Sequence, residues 1–245
     1  MLDMIDAYWF ARREDSDGLV YAGNGNEPGW RDGEERTVDR PEDVEMCSWG
    51  YHAADSWLHS LWYAKGPIAC RVRLAVIDRA NDGKFVGPRR TLVSHVDASH
   101  ELRLAAADFA ERALLCERKA EREPDLRLWR AVAAIRQYAM GEISNEALQE
   151  AADAAADVAV AADAAFVAAF NVSDVTNASV SATVAAAINA VFIAAANAVS
   201  APYHAAYAAI GYVAATDVEE RSWQSDRLNF WIDRAFARKE NRVGG

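Results

Sequence analysis

Between Ala147 and Ala215 the chain is nearly half alanine, 30 of 69 residues, with neither lysine nor arginine. Alanine is the strongest helix former, and its small side chain lets backbones approach closely, so this tract is constrained to tightly packed helices. Alanine cannot donate, accept, ligate or attack, so any chemistry has to come from elsewhere. The net charge of −11 is concentrated here too, because residues 144–216 carry 6 acids and no base. A field of that sign repels nucleic acid and anionic membrane, and it favours a basic partner or simply solubility.

The third helix of the C-terminal half is expected from Ser144, as cap, to about Phe170. Within it Glu146, Glu150, Asp153 and Asp157 fall at i, i+4, i+7 and i+11, on one side of the helix. Leu148, Ala155, Ala159, Ala162, Phe166 and Phe170 take the other. The acidic side is either solvated surface or a docking face for a basic protein. Between Asp174 and Asp217 lie 42 residues without formal charge, more than a spanning helix needs. Pro202, three asparagines and His204 interrupt the run, and no basic flank sets an orientation, so buried helices are expected rather than a membrane span.

The period of the apolar residues changes near Asp97. Before it, Ala7–Arg12, Leu19–Ala22, Pro67–Ile77 and Thr91–Val96 are short runs of aromatic and β-branched residues suited to strands. Ile68, Cys70, Val72, Leu74 and Val76 alternate as a half-buried strand does. A helix is expected over Ala53–Lys65, stopped by Gly66, and residues 23–46 read as a long polar loop. After Asp97 the spacing is helical. Leu102, Ala106, Phe109, Ala113 and Cys116 line a first face, and Pro124 and Gly141 bracket a second helix. Val180 to Val199 marks a fourth, Pro202 opens a fifth, and a capping box from Thr216 to Glu219 opens the last. The expected architecture is α+β: a domain over residues 1–97, a bundle of about six helices over 98–238, and a disordered tail over 239–245.

Cys47, Cys70 and Cys116 have neither disulfide nor zinc spacing. With acids ahead of the first apolar run, the start does not read as a signal peptide, and a reduced, cytoplasmic setting is expected. The densest chemical cluster is Cys47, His52, Asp55 and His59, with Cys70 further on. It lacks the glycine turn of an oxyanion site and the paired spacing of a metal site. His95 and His100 read as local hydrogen-bonding residues. Arg89-Arg90 beside Lys84 is the one basic knot. No cofactor, metal or nucleic acid is expected, and the composition is compatible with homo-oligomerisation.

At CSWGYHAADSWLHSLWYAKGPIACRVRL the chain resembles an uncharacterised bacteriophage domain family that shares a Cys-x-x-Gly-x-His-Ala turn, matched here by Cys47, Gly50, His52 and Ala53. This likeness covers residues 6–97. From Leu102 to Leu228, RLAAADFAERAL, YAMGEIS, the alanine tract and RSWQSDRL resemble alanine-rich helical domains of the immunity-protein type. Together these imply a phage or mobile-element protein that binds and inhibits a host-defence or toxin protein, in an anti-defence, anti-CRISPR-like or immunity role, without enzymatic activity. Gly50-Tyr51-His52-Ala53 and Trp62-Tyr63-Ala64 also resemble the centre of ADP-ribosyltransferase-like folds. That implies the alternative of a nucleotide-binding module, with Tyr51, His52, Arg12 or Arg13 at the ligand and Glu101 as the late acid.

Overall fold

The computed structural model describes residues 3–22, 27–171, 191, 193–198, 202–203, 205–206 and 218–243. Strand β1 (Met4–Ala11) pairs antiparallel with β6 (Ile68–Ala75) along its whole length, from Met4 opposite Ala75 to Ala11 opposite Ile68. This register puts the alternating residues of both strands on common faces. Ala7, Ala11, Ile68, Cys70, Val72 and Leu74 join one buried cluster with Val20 and Trp30. Tyr8 and Phe10 point the other way, onto Trp57.

Around this pair the sheet grows to seven antiparallel strands in the order β4-β9-β6-β1-β5-β8-β7. The added strands are β4 (Glu35–Thr37), β5 (Tyr51–Ala54), β7 (Asp78–Arg79), β8 (Lys84–Gly87) and β9 (Arg89–Asp97). Two short strands, β2 (Arg13–Glu14) and β3 (Val20–Tyr21), pair separately. A bulge in the β6–β9 ladder, between Arg71 and Val72, leaves Val93 exposed.

Helix α1 is shorter than the spacing predicts. Ala53 and Ala54 belong to β5, Ser56 caps the helix through the His59 N–H, and the helix spans Trp57–Trp62. Gly66 does more than stop a helix. A Cβ there would lie 2.0 Å from the Arg12 carbonyl oxygen, so only glycine lets the chain pass the end of β1. The stretch over 23–46 is not simply a loop. Trp30 is fully buried and exchanges backbone hydrogen bonds with Val20, and Glu35–Thr37 forms an edge of the main sheet.

The helical elements are α2 (Ser99–Lys119), α3 (Leu126–Ala139), α4 (Asn145–Asn171) and a C-terminal helix, Val218–Val243. The protein is thus α+β, a strand-rich N-terminal part followed by helices. On α2, Leu102, Ala106, Phe109 and Ala113 are buried as the periodicity requires. Cys116 is exposed instead, because the buried stripe advances by four residues to Glu117, whose carboxylate takes Arg122 in a bidentate pair. Asp125 caps α3 and Gly141 follows it at φ 75°, matching the expected bracket. On α4, Leu148, Ala152, Ala155, Val158 and Ala159 are buried, and α4 packs against α3. The side chains of the expected inner residues Ala162, Phe166 and Phe170 are not described, and most of the fourth and fifth helices, His204 and the start of the Thr216 capping box lie outside the described residues.

Two compact units result, Met1–Ser99 with Ser225–Gly245, and His100–Gln224. The end of the chain therefore belongs with the sheet. The helix continues to Val243 rather than dissolving at residue 239, because Lys239 donates to the His95 carbonyl at 2.7 Å and to Asp32 at 3.2 Å.

Candidate functional site

Between β5, α1 and β8 lies a cavity of about 440 Å³, within the range of small-molecule sites. It is built from the turn that precedes β5. Cys47 adopts a left-handed φ of 65°, and its N–H donates to His52 Nε2 at 3.1 Å. Gly50, at φ 120°, completes the turn, and a Cβ there would come within 2.8 Å of Val44 and 3.0 Å of Val86. The His52 ring also hydrogen-bonds the Gly50 backbone. Burial, reinforced by the nearby Lys84 charge, holds its pKa below the ordinary histidine value, so the ring is neutral at pH 7.

Lys84, on β8, reaches across this turn. Its ammonium lies 3.1 Å from Cys47 Sγ and 4.4 Å from the centre of the Tyr63 ring. Tyr63 in turn donates its hydroxyl to Asp82, whose other oxygen accepts the Lys84 backbone N–H. Tyr8, Trp9 and Trp62 also line the cavity.

The neighbouring candidates separate. Asp55 hydrogen-bonds His59 at 2.6 Å rather than His52, and His52 Nε2 is engaged by a backbone N–H rather than by the Cys47 thiol. The arrangement therefore lacks the thiol–imidazole–carboxylate relay of a cysteine nucleophile. Cys70 sits inside the sheet, where burial pushes its thiol pKa far up, away from Cys47 and His52. Among the described residues no cluster of three or more His, Cys, Asp or Glu is placed to hold a metal.

The alternative ligand set divides as well. His52 lines the cavity, whereas Arg12 and Arg13 line a separate, shallower depression with Glu14, Asp15 and Asp97. Arg13 lies over the Tyr21 ring at 4.1 Å. Tyr51 packs edge-on to Trp30 at 5.3 Å instead of facing the cavity. Glu101 is buried on α2.

Arg90, part of the basic knot in the sequence, is buried rather than on the surface. It is 3% exposed, and its guanidinium lies 4.0 Å from the Trp9 ring centre, 4.6 Å from Trp30 and 4.9 Å from Tyr51. It donates to the His52 carbonyl at 3.1 Å, and Glu27 lies 3.9 Å away. Burial lowers its pKa from the ordinary arginine value, opposed by Glu27. The period-two pattern of Thr91–Val96, extended back by one strand residue, was the only signal that Arg90 faces inward.

On α4, Glu146, Glu150, Asp153 and Asp157 are all exposed, on the side away from Leu148 and Ala155. Ser144 hydrogen-bonds Glu146 and lowers its pKa, and Gln149 donates to Asp153 at 2.8 Å. Among the described residues no helix is long and apolar enough to cross a membrane. No protein-family model matches the sequence, and no curated protein or solved structure matches it either.

Proposed function

We propose that this chain is a non-enzymatic binding protein of phage or mobile-element origin that inhibits a host-defence or toxin protein by occupying its surface. The role is anti-defence, anti-CRISPR-like or immunity-type, exerted in the cytoplasm on a partner with a basic face. The observation that carries this reading is the outer side of α4, where Glu146, Glu150, Asp153 and Asp157 are exposed over an apolar inner side. Four carboxylates along about three turns steer a basic partner and fix its register more than they add affinity.

The test is a pull-down from host lysate with the protein as bait, followed by charge reversal of all four residues to lysine. The expected result is at least about a tenfold loss of affinity, or ~1.4 kcal/mol, and a wild-type association rate that falls with added salt. A complex indifferent to the reversal ends the acidic-face reading.

The second reading, an ADP-ribosyltransferase-like or nucleotide-binding module, has the cavity at His52 in its favour. It loses its arginine arm, since Arg12 and Arg13 lie in the other depression. Thermal-shift measurements with NAD and nucleotides test it, because a ligand at 100 times its Kd stabilises by about 2.7 kcal/mol.

A further inference from the structure

We propose that the cavity between β5, α1 and β8 binds a small organic anion with a flat apolar body, held by Lys84 and Lys65 and stacked on the aromatic wall. Among the described residues that line it, Lys65 and Lys84 are the only formally charged ones, in a chain whose net charge is −11. A cavity with the Lys84 ammonium in its wall, Lys65 in its lining and no lining carboxylate stands against the field of the rest of the molecule, which selects an anion.

Asp82, two residues before Lys84, is already engaged. Asp82 accepts the Tyr63 hydroxyl with one oxygen and the Lys84 backbone N–H with the other, so it orders the wall and the strand while the Lys84 ammonium faces Cys47 and the Tyr63 ring. His52 is neutral and occupied by the turn backbone, which makes it a positioning residue that holds Cys47 and the start of β5. Tyr8, Trp9, Trp62 and Tyr63 line the same space, and Trp62 and Tyr63 are 41% and 37% exposed at its rim. Exposed rings beside a cation offer a flat ligand apolar surface, while the ammonium takes its phosphate or carboxylate. Carboxylate and phosphate share this chemistry, and the probes below distinguish them.

The inference goes beyond both functional readings: it needs neither the α4 face nor Arg12, and it does not require a nucleotide base. Cys47 provides the readout, because its sulfur lies beside the binding ammonium and it is exposed, whereas Cys70 is buried and Cys116 is exposed elsewhere as an internal control. The experiment measures iodoacetamide alkylation of each cysteine by peptide mass spectrometry in the full chain. The probes are phenyl phosphate, benzoate, inorganic phosphate and benzylamine at millimolar concentration.

The expected result is at least about fivefold slower alkylation of Cys47 with phenyl phosphate or benzoate, no change at Cys116, and no protection by benzylamine. Which of the two aromatic anions protects at lower concentration assigns the headgroup. Because Lys84 itself influences the thiol, each variant is compared with and without probe; Lys84→Gln and Lys65→Gln are expected to lose most of the protection. The α4 charge-reversal variant is expected to keep it, which separates this inference from the docking reading. Absence of protection by both aromatic anions, equal protection by benzylamine, or full protection retained in both lysine variants overturns the proposal. Protection by inorganic phosphate equal to that by phenyl phosphate overturns the flat apolar half of it.

Discussion

Arg90 and Arg89 are adjacent in sequence and opposite in consequence. Arg90 is caged by Trp9, Trp30 and Tyr51, whereas Arg89 is half-buried, 3.9 Å from Glu35. Arg90→Ala removes the cation from its cage and leaves the His52 carbonyl without its donor, a loss of about 3 kcal/mol or more by analogy with broken buried pairs. Arg90→Met, which fills the space, is expected to cost less than Arg90→Ala, and Arg89→Ala to stay within about 0.5 kcal/mol. Urea denaturation of the three variants checks this order, and equal midpoints for Arg89→Ala and Arg90→Ala would refute it. The basic knot of Lys84, Arg89 and Arg90 is visible in the sequence as composition alone. That one member is caged, one half-buried beside Glu35 and one set on a cavity follows from strand register, which no local pattern of charges encodes.

At the scale of elements, His95 on β9 joins the sheet to the end of the C-terminal helix. Its ring contacts Asp32 at 2.6 Å and Glu14 at 3.2 Å, and its carbonyl accepts Lys239. Burial alone would lower its pKa, but the bonds to the two carboxylates outweigh this and the net shift is upward. For Asp32, burial alone would raise the pKa, and the bonds from His95 and Lys239 carry it downward. The raised His95 contributes stability that is complete below its ordinary value near 6.5 and disappears as pH rises through the folded value. The lowered Asp32 contributes stability present above its ordinary value of 3.8 and lost as pH falls through the folded one. Stability from this node is therefore greatest between about pH 4 and 6.5. Thermal melts across pH 4–9 should show a decline above 6.5 that His95→Gln flattens. On α4, Ala152 is fully buried and Ala147 is exposed. Ala152→Leu is expected to destabilise by about 1–3 kcal/mol through overpacking, and Ala147→Leu hardly at all. Similar melting temperatures for the two variants would contradict the packed inner side. Runs of aromatic and β-branched residues located β1, β3, β6 and β9, with a period of two in β6, and the helical spacing located α2, α3 and α4. Strands β4, β5, β7 and β8 escaped because two to four residues are too few to display a period.

For the whole molecule, the first compact unit is discontinuous in sequence, made of residues up to Ser99 and of Ser225–Gly245. Phe236 lies 6.1 Å from Trp57 and 4.0 Å under the Arg71 guanidinium, Asp233 pairs with Arg71, and Arg238 donates to the Asp97 carbonyl. Deleting 225–245 should therefore expose Trp57 and weaken the sheet. A red shift of tryptophan fluorescence and a lower denaturation midpoint are the expected measurements, and an unchanged midpoint would show that residues 1–99 are self-sufficient. Local physics alone determined that the chain is α+β, that α4 hides leucine and alanine beneath an acidic outer side, and that Gly141 ends α3. Propensity, periodicity and capping act over a few neighbouring residues, so they can be read along the chain. Tertiary structure decided that Arg90 enters an aromatic cage, that Lys84 rather than Arg12 or Arg13 stands beside His52, and that the last helix returns to the sheet. Each of those depends on which distant segments pair and in what register, and that choice is made by the summed burial of the whole core.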